Sequence, residues 1–268
     1  MIKTISVSVI LPTYNEEECI GLLVSSLIPV LDTSCKGDYE IIVVDDSSED
    51  KTREVVKNLS LENDNLKLVE RNKERSLPLS LFEGIQSANK EFVMWLDSDG
   101  SMDAESVGKL LNELKEKNNS VIIGSRFVKE GGYKGKDKIK NLNINNFVKT
   151  IIKSEDSLIA IILSNIFNKS LNFILPVKVK DLTSGFIVGK KNYFSKSMFE
   201  DSVYGEYFIN VVVSLFLSKI SIKEAGYYCK TRQSGVSKTS TNLFRLLSLS
   251  MPYIKTAINC RKKIYEDI

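Results

Sequence analysis

Short apolar runs alternate with amphipathic stretches along the first half of the chain. Ile5 to Leu11 reads as a strand, and Glu16 to Val30 as a helix with Ile20, Leu23, Val24 and Leu27 on one face. Tyr39 to Val44 is apolar at almost every position, as expected of a strand covered on both sides. A helix over Ser48 to Leu59, a strand over Leu66 to Glu70 and a helix over Leu77 to Ala88 follow. Phe92 to Leu96 is a fourth strand, Ala104 to Lys115 a helix and Ser120 to Ile123 a fifth strand. Such strand–helix repetition predicts an α/β fold: three layers built on a mainly parallel sheet.

After Gly124 the pattern changes. Arg126, Lys129, Lys134, Lys136, Lys138, Lys140, Lys149 and Lys153 face only Glu130 and Asp137 over that stretch. Residues 130–176 therefore read as a basic loop followed by a helix from Leu158 to Leu175. Its expected apolar side is Ile159, Ile162, Leu163, Ile166 and Phe167, and its polar side Asn165, Asn168, Lys169 and Asn172. A cationic loop beside an apolar stripe suits an anionic membrane surface. Gly185 to Val188 and Ile220 to Tyr228 read as strands, with a helix near Phe208 to Leu217 between them. The main domain is expected over 1–238 and an amphipathic helical tail over 239–268. The tail stripe Leu243, Leu246, Leu247, Met251, Ile254 and Ile258 is expected to bend or split at Pro252. Core, membrane and partner subunit are equally good destinations for it.

Composition narrows the chemistry. The 268 residues carry 37 Lys and Arg against 34 Asp and Glu, a formal charge of +3, and no histidine at all. That absence removes Ser-His-Asp and Cys-His nucleophile systems and His-ligated zinc. Cys19, Cys35, Cys229 and Cys260 form no C-x-x-C pair, which favours a reducing compartment. No run approaches the ~20 apolar residues of a membrane-spanning helix. The expected location is the cytoplasm, with peripheral association at the cytoplasmic face of a membrane. A small positive charge with no nucleic-acid-reading motif makes a basic nucleic-acid-binding protein the remote alternative.

Asp97-Ser98-Asp99 follows the fourth strand directly, where ligands gather in open α/β sheets. Two carboxylates in that spacing can hold a hard divalent cation, although a solvated turn has the same sequence. Asp45-Asp46, at another strand end, would repel them unless a ligand or cation uses the group; capping the next helix is the structural reading. Pro12-Thr13-Tyr14-Asn15-Glu16-Glu17 follows the first strand, with Thr13 and Asn15 as candidate caps. P-loop and dinucleotide fingerprints are absent.

Taken together, Val7 to Glu16, Ile41 to Thr52 and Asp97-Ser98-Asp99 resemble family 2 glycosyltransferases, which implies the GT-A, Rossmann-like fold. Gly124-Ser125-Arg126-Phe127, Asp181-Leu182-Thr183-Ser184-Gly185-Phe186, Arg232 and Ser234 to Lys238 are similar to the dolichol-phosphate mannosyltransferase branch. The resemblance implies inverting, metal-dependent transfer from a nucleotide diphosphate sugar, GDP-mannose or a UDP-sugar, to a polyprenyl or dolichyl phosphate. A saccharide hydroxyl acceptor is the alternative, and a homo-oligomer is left open. By the same resemblance Pro12, Tyr14 and Glu16 line the nucleotide pocket, and Asp45 or Asp46 reads the base or ribose. Asp97 and Asp99, with Ser98 between them, approach Mg²⁺ or Mn²⁺. Arg126 meets the acceptor phosphate, Asp181 and Ser184 lie near the donor sugar, and Arg232 and Lys238 neutralise phosphate oxygens. Asp181, Arg126 and Asp99 are thus the implied catalytic residues. The chain departs from the branch at Arg75-Ser76-Leu77-Pro78, where a glycine-rich loop is usual, at Ser101 and at Ile187.

Overall fold

A computed structural model describes residues 4–133, 157–230 and 243–266. The first half lays down β1 (Val7–Thr13), α1 (Ile20–Cys35), β2 (Tyr39–Asp45), α2 (Thr52–Ser60) and β3 (Leu66–Glu70). Next come α3 (Leu77–Ser87), β4 (Phe92–Trp95), α4 (Ala104–Glu116) and β5 (Ser120–Ser125). The remainder adds β6 (Gly132–Tyr133), α5 (Ser157–Ile174), β7 (Ile187–Lys190), α6 (Tyr207–Leu217), β8 (Ser221–Gly226), β9 (Tyr228–Cys229) and α7 (Leu243–Glu266).

Seven strands form one sheet in the order β3-β2-β1-β4-β7-β5-β8, and β6 pairs with β9 apart from it. All pairings in the large sheet are parallel except those of β7, which runs antiparallel between β4 and β5. Successive side chains leave a strand on opposite faces, so Val9 and Leu11 join one core while Ile10 joins the other. Leu23, Val24 and Leu27 of α1 and Val107, Leu110 and Leu111 of α4 cover the first face. Leu81 and Ile85 of α3, Phe208 and Val212 of α6 and Ala257, Cys260 and Ile264 of α7 cover the second. This is the expected three-layer, mainly parallel α/β architecture. The α3 helix approaches closely because residue 84 is glycine: a Cβ there would lie 2.4 Å from Ile10 Cγ2.

Several elements differ from the sequence expectation. Helix α1 begins at Ile20 and α2 at Thr52, because the residues before each brace one another across the two loops. Asn15 and Glu16 donate backbone N–H bonds to Ser48 Oγ and Thr52 Oγ1, at 2.9 and 2.8 Å. Glu49 and Lys51 return theirs to Asn15 Oδ1 and Glu17 Oε2, both at 2.8 Å. Helix α7 is continuous through Pro252 instead of splitting, anchored by buried Ala257, Cys260 and Ile264. Met251 and Ile258 of the tail stripe are exposed, whereas the side chains of Leu243, Leu246 and Leu247 lie outside the described residues. In helix α5, Asn168, expected on the polar side, is buried, while Ile166 of the expected apolar stripe is exposed, as is Phe173; the side chains of Ile159, Ile162 and Leu163 lie outside the described residues. Asn168 turns inward because it serves backbone, donating to Lys180 O and accepting from Leu182 N at 2.9 Å. The basic stretch from Lys134 to Lys153 lies outside the described residues, as do Arg232 and Lys238. No helix among the described residues is long and apolar enough to cross a membrane.

Away from the carboxyl ends of the strands, Glu40 locks the opposite edge of the sheet. Burial alone would raise its carboxyl, but hydrogen bonds from Lys67, Asn89 and Ser8 outweigh burial and bring it down to about 2. A folded value below the unfolded one stabilises at neutral pH, and that contribution is lost as pH falls from about 4.5 through about 2. Glu40→Gln is expected to cost about 1–3 kcal/mol at pH 7. In denaturant melts followed across pH, the gap from the unmodified chain should close as pH falls through that window.

Candidate active site

Because β1, β2 and β4 are parallel and in register, their carboxyl ends meet at one edge. The loops leaving them are stitched to β1. Asp46 donates its backbone N–H to Thr13 O at 2.9 Å, and Ser98 Oγ donates to Pro12 O at 2.8 Å. Between these loops lies a cavity of about 360 Å³. Pro12, Tyr14, Glu16, Asp46, Asp97, Ser98 and Asp99 all line it, which brings together seven of the residues singled out in the sequence.

At one end, Asp46 is buried and forms an ion pair with Arg71, itself 2% exposed. Ser76 N–H donates to the second Asp46 oxygen at 2.7 Å, and Arg71 also donates to Ser80 Oγ at 3.1 Å. The carboxylate is thereby held rigid with its charge offset. Beside it the Arg75 guanidinium lies 4.0 Å above the centroid of the Tyr14 ring, a cation–π contact at the cavity wall. At the other end are Asp97 and Asp99, and Ser101 N–H donates to Asp99 Oδ1 at 3.0 Å.

Asp45 does not line this cavity. It is fully buried, accepts Ser48 N–H at 3.0 Å and lies 3.4 Å from Arg53 Nε, so it serves the turn leading into α2. Adjacent residues on a strand point to opposite sides, and of the two acids Asp46 takes the cavity side.

Arg126, Asp181 and Ser184 form a second group and do not line this cavity. Arg126 Nε and Nη2 grip Asp181 at 2.8 and 2.7 Å, and the Arg126 backbone N–H adds a third bond at 2.9 Å. Nη2 also reaches the carbonyl and hydroxyl oxygens of Thr183, at 3.0 and 2.8 Å. Burial would lower the guanidinium pKa, but the adjoining Asp181 carboxylate holds it well above its ordinary value. The rings of Phe127 and Tyr133 lie 5.4 and 5.6 Å from the Arg126 Cζ. Ser184 Oγ donates to Gly124 O, so its hydroxyl fastens a turn. The Asp181 loop is held from two sides, by Asn168 and by Glu224, which accepts Lys180 and Asp181 N–H at 2.9 and 3.1 Å.

Sequence reasoning gave no role to Arg71, Glu224 or the rim residue Val203, set Asn168 on the polar side of its helix, and took Thr183 only as part of the Asp181–Phe186 motif. Arg71 follows the β3 strand directly, but Lys73 and Arg75 come soon after it, so nothing local singles it out.

Among the described residues no group of three or more His, Cys, Asp or Glu side chains is gathered as a self-sufficient metal site. Two hard carboxylates in one cavity fit a different arrangement: Mg²⁺ or Mn²⁺ held by Asp97 and Asp99, with its remaining oxygens supplied by a diphosphate and water.

The model of glycosyl transferase family 2 matches residues 8–198. A dolichol-phosphate mannosyltransferase of Pyrococcus furiosus is 37% identical over 126 residues, which is 47% of this chain and 34% of that protein. A poly(ribitol-phosphate) beta-N-acetylglucosaminyltransferase of Staphylococcus aureus is 31% identical over 207 residues, 72% of this chain and 61% of the other. The chain thus spans less than two thirds of either relative's length. Glucosyl-3-phosphoglycerate synthase of Mycobacterium tuberculosis, in complex with Mn²⁺, UDP and phosphoglyceric acid, superposes with a TM-score of 0.64 at 16% identity, covering 96% of this chain and 78% of that one. That likeness establishes a shared GT-A fold. The family match extends over β1 to β7 and takes in every described acid of the cavity, and on that ground the chain belongs to the family 2 glycosyltransferases.

Proposed function

We propose that the chain transfers a sugar from a nucleotide diphosphate sugar, GDP-mannose or a UDP-sugar, to a polyprenyl phosphate at a membrane surface. The observation that carries the donor half is the single cavity shared by Tyr14, Asp46, Asp97 and Asp99. Tyr14 offers a ring face for a base, and Asp46, fixed by Arg71 and Ser76, accepts hydrogen bonds from base or ribose. Asp97 and Asp99 would hold a divalent cation. When bound, the cation neutralises charge developing on the departing diphosphate.

The acceptor half rests on the Arg126 cluster. Both Asp181 oxygens are occupied by Arg126, so the carboxylate is engaged in fixing the guanidinium. An acceptor that arrives deprotonated suits this site, and a phosphate monoester with second pKa near 6 does so at neutral pH. Arg126 uses Nε and Nη2 on Asp181, and its Nη1 edge would orient the acceptor phosphate. One phosphate oxygen then attacks the anomeric carbon from the side opposite the diphosphate. The bond from that carbon to the diphosphate oxygen breaks, and the configuration inverts. Exposed Ile166 and Phe173 on α5, and Met251 and Ile258 on α7, supply apolar surface for peripheral docking at the cytoplasmic face of a membrane. The partial Pyrococcus furiosus relative supports the lipid acceptor. A saccharide or polyol hydroxyl acceptor is the second reading, favoured by the Staphylococcus aureus relative.

Labelled nucleotide sugars incubated with polyprenyl phosphate and with poly(ribitol phosphate) separate the two. Label extracted into organic solvent is expected; label confined to the aqueous polymer selects the second reading. Asp99→Asn should remove the extra thermal stabilisation that UDP or GDP gains from Mn²⁺, and metal-independent binding by the unmodified chain would count against the cation site. Tyr14→Ala is expected to weaken nucleotide diphosphate binding by about 1–3 kcal/mol, the worth of one base–aromatic stack. Its melting temperature should stay near that of the unmodified chain, since Tyr14 is only half-buried.

A further inference from the structure

The family match ends at residue 198, but the cavity wall does not: Val203 and Tyr204 line it from the turn before α6. The two residues are 81% and 50% exposed, so burial contributes little to holding them there. The turn is tied from beneath instead. Glu206, itself buried, accepts the N–H of Val203 at 2.7 Å and that of Tyr204 at 3.1 Å. Helix α7 adds two more ties. Cys260 Sγ donates to Asn210 Oδ1 at 3.2 Å, and Asn210 Nδ2 donates to Ser202 Oγ at 3.0 Å, at the start of the turn.

The second tie is Tyr253. Its hydroxyl packs so tightly on residue 205 that a Cβ added to Gly205 would lie 2.1 Å from the oxygen and 3.1 Å from the ring carbon Cζ. Gly205 is not among the glycines with positive φ, so contact, not backbone strain, excludes a side chain there. On its other side the Tyr253 ring meets Phe167 of α5 nearly at right angles, with centroids 5.7 Å apart. Burial raises the phenol pKa, and Tyr204, Glu206 and Asp97 push it the same way, so the hydroxyl stays neutral.

We infer that α7 completes the donor cavity, with Tyr253 as a positioning residue whose hydroxyl, packed on Gly205, holds Val203 and Tyr204 against the nucleotide diphosphate. This rests on the donor reading of the cavity. Gly205→Ala, Tyr253→Phe and the double variant, each in the full chain, are titrated calorimetrically with UDP and GDP in the presence of Mn²⁺. Gly205→Ala should weaken binding about tenfold and Tyr253→Phe about threefold, and the double variant should bind nearly as well as Tyr253→Phe alone, as coupled neighbours do. Unchanged affinity in Gly205→Ala, or a loss that Tyr253→Phe does not recover, overturns the inference. Amide exchange at Val203 and Tyr204 in the nucleotide-free chain needs no donor. Tyr253→Ala should speed it about tenfold while β1 and β4 stay protected, and unchanged exchange also overturns the inference. If the unmodified chain binds neither nucleotide diphosphate, the donor reading fails, and the exchange rates alone decide whether α7 holds the turn.

Discussion

Carboxylates crowded at one edge of a parallel sheet are the constraint around which this molecule is arranged. Register brings the ends of β1, β2 and β4 level, and so brings Asp45, Asp46, Asp97 and Asp99 into one neighbourhood. Like charges there oppose folding unless each is balanced. The β2 acids are balanced from within: Arg53 lies beside Asp45, and buried Arg71 is paired with Asp46. Removing one partner of such a buried pair strands the other, at a cost of about 3–5 kcal/mol. Asp97 and Asp99 line the cavity itself.

Rigidity around the site follows from how the loops are joined. The Asn15–Glu17 loop and the Ser48–Thr52 loop exchange backbone and side-chain hydrogen bonds in both directions, so neither can move alone. Tyr207 at the start of α6 accepts a bond from Trp95 Nε1 at 3.1 Å, which ties that helix to the strand preceding Asp97. Preorganisation of this kind is what a site needs when catalysis consists mainly of holding charge in place. The Arg126–Asp181–Thr183 cluster is built the same way, with the loop beneath it fixed by Asn168 and Glu224.

The features legible in the sequence were those that depend on local pattern. Apolar runs located every strand of the first half, and an acid placed directly after such a run must emerge at a carboxyl edge, which is why Asp97 and Asp99 could be read in advance. Choosing between Asp45 and Asp46 required the side on which β2 ends, and two adjacent acids carry no mark of that. The direction of β7 was equally hidden, since four residues have the same alternation read either way. Asn168 left the polar side of α5 on which the sequence set it because an amide that satisfies two backbone groups is as much at home inside as leucine. Arg71 became visible only with its burial, and the packed face of α7 only with its partner helix.

The central position of β7 also bears on biosynthesis. Strands β4 and β5 do not pair with each other; β7 lies between them and joins the β3-β2-β1-β4 part of the sheet to β5 and β8. About sixty residues separate β5 from β7, or roughly 3–12 s of translation at common rates. Throughout that interval the emerging polypeptide carries the β3-β2-β1-β4 fragment with its β4 edge bare and a β5 whose two partners, β7 and β8, are still to come, the situation in which strands mispair. Chaperone occupancy during synthesis would therefore matter more for this enzyme than its finished surface suggests.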